Sequence, residues 1–485
     1  MTTEGELFEA VQLGNVFADS KTFVDAVPRS DEAEIVSEFA SSSPMSSDEL
    51  RAFVLERFEI RSSSEPGYRA ASSLDEYLVT RWDSLTRSSD RPPAGSSLEP
   101  LPNPYVVPGG RFDELFYWDT FFTGLGLLAH QRVELFTGMV DNLVLLLDRY
   151  GHVPNGSRTY LSSRSQPPLL AAMVNALTDA GVDGRWYLPA LLLEHQYWTT
   201  GDRMVEALGH RWSRYWDVLD TARPEAFAED LLMSSSREAP LFRNLRAAAA
   251  SGWDFSSRWC AVPGDLNTIE TIRVIPFDLN ALVMRLEWTI ADLARWAGDE
   301  NVASAFTAHA DARRIALQTC CWDDAAGWFG DLDMDGGIRR RSLTLAGVTG
   351  LSEGIATASQ AASMRRTLME RFLAPGGLRT SLFESGEQWD APNGWAPLHW
   401  WAIVGLRAYG FVDEAATVAN RWIATCRSGF AADGTLLEKY DVEEPDRRAG
   451  GGEYPVQEGF GWTNGVLIDL LAKGYGVLNE SSQPE

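Results

Sequence analysis

Six short segments of the sequence combine arginine, tryptophan, carboxylate and amide side chains with glycine and proline. They span residues 108–122, 154–168, 223–225, 251–259, 388–397 and 436–462. Guanidinium and amide groups bind neighbouring hydroxyls, carboxylates accept hydrogen bonds, and indole rings stack on apolar faces. Since the sequence has no phosphate-loop motif, this combination favours a neutral, hydroxyl-rich ligand such as a sugar over a nucleotide.

Two acidic residues in these segments could cleave a glycosidic bond. Such hydrolysis needs one carboxyl group that protonates the leaving oxygen and another that activates water or attacks the anomeric carbon. Asp254 lies between Trp253 and Phe255, and an apolar setting raises the pKa of an acid. Glu438 follows two leucines and precedes a glycine-rich stretch. The chain has 68 aspartate and glutamate residues, so these observations leave the choice of the pair open.

The segments lie between stretches whose apolar residues recur with helical spacing. The clearest stretch is 132–150, where an apolar stripe runs from Val133 to Tyr150. Similar patterns predict helices near 169–181, 186–200, 203–220, 278–297, 301–318, 356–373, 397–410, 413–427 and 463–474. Because strand-like runs are few, the paired helices predict an all-α toroid whose loops on one rim carry the chemistry.

Two long motifs and several shorter ones resemble the trehalase family, glycoside hydrolase family 37. The long motifs are PGGRFDELFYWDTF at 108–121 and QWDAPNGWAP at 388–397. The shorter ones are ELFEAVQLGNVFADSKTFVDAVP, PNGSRTYLSSRSQPP, SGWDFSSRW, LEKYDV and GGGEYPVQEGFGWTNGV. They follow in order along essentially the whole chain. The resemblance implies an (α/α)6 barrel, inverting hydrolysis of α,α-trehalose to two glucose molecules, and no cofactor or metal.

The resemblance also implies roles for individual residues. Asp254 would be the general acid and Glu438 the general base, with carboxyl groups roughly 6.5–9.5 Å apart to leave room for water. The residues that match sugar-binding positions of the family are Arg111, Trp118, Asp119, Asn155, Arg164, Ser165, Gln166, Arg223, Glu225, Gly252 and Glu453. The second motif adds Gln388, Trp389, Asp390 and Trp395, which are expected to line the pocket. The arginines are expected to hold Glu438 ionised and to bind hydroxyls.

Three residues depart from the family motifs. Phe116 and Phe121 stand where the family has tyrosines, and His399 stands where it commonly has glutamine. An inverting α-glucosidase that acts on another small α-glucoside, such as kojibiose, is therefore an alternative. A non-catalytic sugar-binding protein of the same fold is another, although the presence of both carboxylates argues against it.

The 485-residue chain has 42 basic and 68 acidic residues, which gives a formal net charge of −26. This balance argues against a nucleic-acid or anionic-membrane partner. The partner implied by the resemblance is a small neutral disaccharide, and the chain is expected to be a monomer or a small homo-oligomer. The sequence shows no basic and apolar leader, no long apolar run, and four cysteines without CxxC spacing. These features predict a cytoplasmic protein.

The domain organisation follows from two stretches rich in serine, proline and glycine. Residues 61–73 and 87–104 have the composition of surface loops. We therefore expect residues 1–73 to form an N-terminal extension that packs on the barrel, and residues 74–485 to form the catalytic barrel.

The basic residues include only three lysines, Lys21, Lys439 and Lys473. An acid excess with arginine retained fits either a GC-rich genome or a salt-rich cytoplasm in which surface carboxylates maintain solubility. Salt adaptation predicts that activity or thermal stability rises at molar salt, which a salt titration of both quantities would measure. A flat or falling profile would leave codon usage as the explanation.

Overall fold

The computed structural model describes residues 3–60, 71–89, 91–234, 241–335, 337, 340 and 342–476. Helices dominate these residues, which contain eighteen α-helices. In chain order they are α1 (Glu6–Leu13), α2 (Lys21–Val24), α3 (Glu32–Ser42), α4 (Ser47–Arg57), α5 (Leu74–Leu85), α6 (Tyr117–Ala129), α7 (Val133–Tyr150), α8 (Leu170–Asp179), α9 (Leu188–Thr199), α10 (Phe227–Ser234), α11 (Leu241–Ser251), α12 (Phe277–Ala297), α13 (Glu300–Cys320), α14 (Thr349–Ser352), α15 (Ala358–Thr367), α16 (Ala396–Ala408), α17 (Val412–Asp433) and α18 (Gly461–Ala472).

Short antiparallel strand pairs fasten the connections between the helices. The pairs are β1 (Val27–Pro28) with β2 (Phe58–Glu59), β3 (Thr86–Arg87) with β4 (Tyr105–Val106), β5 (Met204–Ala207) with β6 (His210–Ser213), β7 (Val274–Ile275) with β10 (Leu332–Asp333), β8 (Trp322–Asp323) with β9 (Trp328–Phe329), β11 (Leu373–Ala374) with β12 (Gly377–Leu378), and β13 (Asn393–Trp395) with β14 (Lys439–Asp441). Within the described ranges, every sheet consists of one such pair, and no third strand joins any of them.

Six helices form a closed inner ring. α6 packs on α8, α8 on α12, α12 on α14, α14 on α16, α16 on α18, and α18 returns to α6. Outside this ring, α5, α7, α9, α13 and α17 each pack against an inner helix, and α15 reaches the ring where Met364 faces Gly350 of α14. Inner and outer helices alternate along the chain, which confirms the predicted (α/α)6 barrel.

Burial explains why the two layers differ in sequence. The inner helix α6 is buried on nearly every side, whereas the outer helix α7 buries one stripe and leaves a polar face to solvent. α6 and α18 cross at Gly126 and Gly465, where a Cβ on Gly126 would lie 2.6 Å from the Cα of Gly465. No described helix is long and apolar enough to span a bilayer.

The N-terminal helices α1 to α4 enclose a second hydrophobic core and contact the barrel beside the rim. Buried charges join the two parts. Glu114 Oε2 accepts from the Lys21 ammonium at 3.1 Å and from Arg158 Nε at 2.7 Å. Asp25 accepts from the Tyr160 hydroxyl at 2.8 Å. A domain boundary at residue 73 remains a prediction, and residues 61–70 lie outside the described part of the chain.

The predicted helix over 203–220 is wrong. The chain instead forms the hairpin of β5 and β6, whose two-residue turn places Leu208 at φ 54° and Gly209 at φ 77°. Two central residues with positive φ define a type I′ turn. Burial alternates from residue to residue along β5, as in a strand, but this pattern is only four residues long and is not visible when apolar residues are counted over the whole of 203–220. The predicted helix 356–373 ends at Thr367 and continues as a π-helical turn to Phe372. The other predicted helices are confirmed to within a few residues.

Candidate active site

The loops that precede the inner helices converge on one cavity. Five of these connections contribute lining residues, namely those that precede α6, α8, α12, α16 and α18. Because the inner helices begin at this rim, the partial positive charge of their N-termini faces the cavity and stabilises negative charge there.

Most of the sequence-predicted site residues line this cavity. They are Arg111, Trp118, Asp119, Asn155, Arg164, Gln166, Arg223, Glu225, Gly252, Asp254, Trp389, Trp395, Glu438 and Glu453. Ser165, Gln388 and Asp390 are not among the lining residues. Ser165 and Gln388 contact lining residues directly, whereas Asp390 binds Ser257 in the segment that follows Asp254. The loops therefore bring the two candidate catalytic carboxylates and most of the candidate binding residues to one place.

Asp254 lies in the loop that follows α11, between the buried residues Trp253 and Phe255. Burial raises the pKa of its carboxyl group to about 7; Arg223 opposes this increase and Glu453 adds to it. The loop is held from behind, because the side-chain amide of Gln388 donates to the backbone carbonyl of Asp254. An aspartic acid in this setting keeps a proton near neutral pH and can donate it.

Glu438 has a different setting, although its side chain is only 1% exposed. Its Oε2 accepts from the Lys439 ammonium at 3.2 Å, and its Oε1 accepts from the Tyr454 hydroxyl at 3.0 Å. The backbone N–H of Gln457 approaches Oε2 at 3.4 Å. The cation among these donors is Lys439, whereas the sequence had pointed to the arginines.

A third carboxyl group, that of Asp119, lies in the first turn of α6. Burial raises its pKa well above the ordinary range, and the charges of Glu438, Asp254 and Glu114 raise it further. A protonated Asp119 can donate a hydrogen bond into the cavity.

The candidate binding arginines are held by carboxylates. Arg223 makes a bidentate contact with Asp230 and also donates to Glu453 at 2.7 Å. Arg164 donates to Glu225 at 2.6 Å, while its Nε and Nη1 have no hydrogen-bond partner among the described residues. Arg164 is thus a fixed guanidinium group with unused N–H groups, which suits the hydroxyls of a neutral ligand.

Stacked indole rings form the apolar part of the wall. Trp389 lies parallel to Trp395 with ring centroids 3.9 Å apart, and Trp253 stacks 5.2 Å away on Trp389. Trp118 tilts against the same group and closes over Gly252. Gly252 has φ 76°, and a Cβ there would lie 2.8 Å from the Trp118 indole, so both conformation and space require glycine.

Asp390 supports the cavity from behind. Its carboxylate is fully buried and accepts from the hydroxyls of Ser256 and Ser257 at 2.9 Å, from the backbone N–H of Ser257 at 2.7 Å, and from Ser385. This geometry fixes the chain that follows Asp254 to the second motif. Within the second motif, Trp389 and Trp395 therefore line the cavity, while Asp390 holds the loop from behind.

The three departures from the family motifs occupy different places. His399 is fully buried, donates from Nδ1 to the Trp395 carbonyl at 2.7 Å and accepts from the Leu378 N–H at 2.7 Å. Burial lowers the pKa of His399 to about 3, so the ring is neutral and supports β13. Phe121 packs against Trp400, outside the residues that line the cavity. Phe116 does line it.

Several lining residues were not selected from the sequence. They include Lys21, Phe112, Tyr160, Tyr454, Phe460 and Trp462. Tyr454 directly follows Glu453 in a quoted motif, and Lys21 lies in the N-terminal motif, so adjacency to the selected residues was the available signal. Within the described residues, no cluster of three or more histidine, cysteine, aspartate or glutamate side chains is arranged to hold a metal.

Comparisons with known proteins show which family the chain resembles. A family profile described as Trehalase matches residues 15–474. The periplasmic trehalase of Salmonella newport (strain SL254) is 42% identical, in an alignment covering 96% of this chain and 85% of the relative. The periplasmic trehalase of Escherichia coli O7:K1 (strain IAI39 / ExPEC) is 40% identical, over 96% of this chain and 86% of the relative.

Solved structures share the fold. Neutral trehalase Nth1 from Saccharomyces cerevisiae superposes with a TM-score of 0.67 at 22% identity, covering 97% of this chain and 92% of the other. The GH63 mannosylglycerate hydrolase from Thermus thermophilus in complex with Tris gives a TM-score of 0.55 at 20% identity, covering 81% of this chain and 99% of the other. At these identities the likeness shows the fold alone.

The cytoplasmic location expected from the sequence is wrong, because the curated relatives at 40–42% identity are periplasmic trehalases. Location depends on targeting rather than on the folded barrel. The free cysteines do not distinguish the compartments, since Cys260, Cys321 and Cys426 are buried and burial protects a thiol from oxidants.

The ion pair between Glu225 and Arg164 predicts an acid-sensitive contribution to stability. Burial alone would raise the pKa of Glu225, but Arg164, Arg223 and Arg246 hold it at about 2, below the ordinary 4.5. A depressed folded-state pKa stabilises the protein fully above the unfolded value and loses that contribution as the pH falls through the folded value. The difference corresponds to about 3 kcal/mol.

The test compares wild type with Glu225→Gln by urea unfolding at about pH 6 and about pH 3. Glu225→Gln is expected to be less stable at the higher pH, and the difference should shrink by about 2 kcal/mol at the lower pH. The exposed Glu300→Gln serves as the matched control and should show no such change. A pH-independent difference between wild type and Glu225→Gln would contradict the ionised pair.

Proposed function

Because the chain belongs to the trehalase family and is a glycosidase that hydrolyses trehalose, we propose that Asp254 is its general acid and Glu438 its general base. The observation that carries this assignment is the difference between their surroundings. Burial holds the proton on Asp254, whereas Lys439 and Tyr454 donate to an ionised Glu438. An acid and a base that differ in this way are what an inverting hydrolase requires.

In the proposed reaction, Glu438 removes a proton from water as the water oxygen attacks the anomeric carbon. The bond from that carbon to the bridging oxygen breaks, and Asp254 delivers its proton to the departing oxygen. One glucose leaves with inverted configuration and the other keeps its configuration. Asp254 is then ionised and Glu438 protonated, and exchange with solvent restores both.

The remaining cavity groups are proposed to bind the two glucose rings. Arg164 and Arg223 are fixed by carboxylates and present N–H groups to hydroxyls. Asn155 and Gln166 supply amides, while Trp118, Trp389 and Trp395 supply apolar surface. Arg111, Asp119, Glu225, Gly252 and Glu453 complete the proposed sugar-binding set. Ser165, Gln388 and Asp390 are proposed to act from behind by supporting these residues.

The variants Asp254→Asn and Glu438→Gln keep the size of each side chain and remove its acid–base function. Glucose release from trehalose is expected to fall by about a thousandfold or more in each, while the helical circular dichroism spectrum and sugar binding measured by calorimetry stay close to wild type. Asp292→Asn, at an exposed residue of α12, is the matched control and should retain full activity. Near-normal turnover in either active-site variant would show that the residue does not have its proposed role.

The anomer formed first distinguishes inversion from retention. Since trehalose has two α-linked glucose units, an inverting enzyme is expected to release one β-glucose and one α-glucose from each molecule. Proton NMR recorded within the first minutes, before mutarotation mixes the anomers, measures both signals. Formation of α-glucose alone would contradict the inverting mechanism and with it the role of Glu438 as a base towards water.

A further inference from the structure

Lys439 takes part in a closed circuit of hydrogen bonds around Glu438. Its Nζ lies 3.2 Å from Glu438 Oε2 and 2.9 Å from Gln388 Oε1. The Gln388 amide donates towards the Tyr454 hydroxyl at 3.4 Å, and Tyr454 donates to Glu438 Oε1 at 3.0 Å. Three segments of the chain therefore meet on one carboxylate: the loop before α16, strand β14 with its preceding residue, and the glycine-rich loop before α18.

Strand pairing explains how a lysine directly after Glu438 can turn back towards the same carboxylate. Neighbouring side chains on a strand point to opposite faces, and the register of β13 with β14 sets Lys439 opposite Trp395. The ammonium lies 5.0 Å from the centroid of the Trp395 ring, which attracts a cation. The long side chain thus follows the indole and reaches Glu438 and Gln388 together.

The burial of this lysine requires a compensating contact. The side chain of Lys439 is 0% exposed, and a buried ammonium is costly unless it is paired and hydrogen-bonded. The Glu438 carboxylate, the Gln388 carbonyl and the Trp395 ring together meet that requirement. A compact ammonium reaches these three groups at once, whereas the planar guanidinium of arginine has a different shape.

We propose that Lys439 is a positioning residue for the reaction: it keeps Glu438 ionised and, through Gln388, holds the loop that carries Asp254. This inference rests on the proposed role of Glu438 as the base. Lys439 does not line the cavity, so its effect is exerted through Glu438 and Gln388 rather than on the sugar. The same amide of Gln388 donates to the Asp254 carbonyl, which links the supports of the two carboxyl groups.

The other groups around Glu438 do not replace this cation. Tyr454 and the Gln457 N–H donate to the carboxylate but carry no charge. Asp119, on α6, interacts electrostatically with Glu438, and Asp254 lines the same cavity, but both are acids and neither supplies a positive charge. Lys439 is therefore the positive charge in hydrogen-bond contact with the base, and its removal should make Glu438 harder to ionise.

The test is the dependence of kcat/KM on pH in Lys439→Met and Lys439→Gln. The acidic limb is expected to move up by about one pH unit or more in both neutral variants, with kcat reduced and KM changed little. Lys439→Arg keeps the charge and should return the limb to within about 0.5 pH unit of wild type. Lys473→Met, at the exposed lysine beside Asp469, is the matched control and should leave the profile unchanged.

Gln388→Met separates charge from geometry, because it removes the amide and leaves the ammonium beside Glu438. It is expected to lower kcat and to move the acidic limb less than the neutral Lys439 variants do. Thermal unfolding of every variant shows that the assays report folded protein. A limb that stays within about 0.3 pH unit of wild type in the neutral Lys439 variants, or an equal shift in Lys439→Arg, would overturn the proposal.

Failure of the base assignment gives a different result. If Glu438→Gln keeps both activity and the acidic limb, Glu438 is not the base, whatever the Lys439 variants show. If Glu438→Gln is inactive and the acidic limb does not move in the neutral Lys439 variants, the assignment of Glu438 as the base is supported and the positioning role of Lys439 is refuted.

Discussion

The proposed reaction depends on one electrostatic constraint: one carboxyl group in the buried cavity must hold a proton while another must be free to accept one. In water, aspartate and glutamate side chains have similar proton affinities, so the difference has to come from the surrounding protein. Burial favours the neutral form of Asp254, whereas an ammonium and a phenol donate to Glu438. The cavity must exclude water around one group and supply donors to the other, and both requirements are met by loops on a rigid ring of helices.

The loops keep this arrangement because buried charges tie them to the barrel. Arg258 follows Asp254 closely and forms bidentate contacts with Asp278 of α12 and with Asp331. Asp390 accepts three hydrogen bonds from Ser256 and Ser257, which precede Arg258, and a fourth from Ser385. Removing one partner of such a buried pair leaves an uncompensated charge, so these contacts define one loop conformation. The shape of the cavity thus depends on polar groups that do not line it.

Sequence reasoning reached the barrel and most of the cavity because helical periodicity and the order of the motifs are properties of the chain itself. The hairpin of β5 and β6 was not predicted, because a turn that needs positive φ at Leu208 has no strong sequence signal. The motifs place Gln388 and Asp390 among the binding residues. Only tertiary packing shows that neither lines the cavity and that both contact the segment around Asp254. The cation beside Glu438 was likewise assigned to arginine, because strand register and the path of the Lys439 side chain depend on contacts between distant segments.

The distribution of lysine has a practical consequence for handling the protein. Lys21 and Lys439 are buried in ion pairs, whereas the Lys473 side chain is 43% exposed at the end of α18. Amine-reactive dyes, cross-linkers and activated resins act on accessible, unprotonated amines, so among the side chains they should couple at Lys473. α18 begins at the catalytic rim and ends at the opposite one. A surface attached through Lys473 would therefore hold the molecules in one orientation, with the cavity directed away from the support.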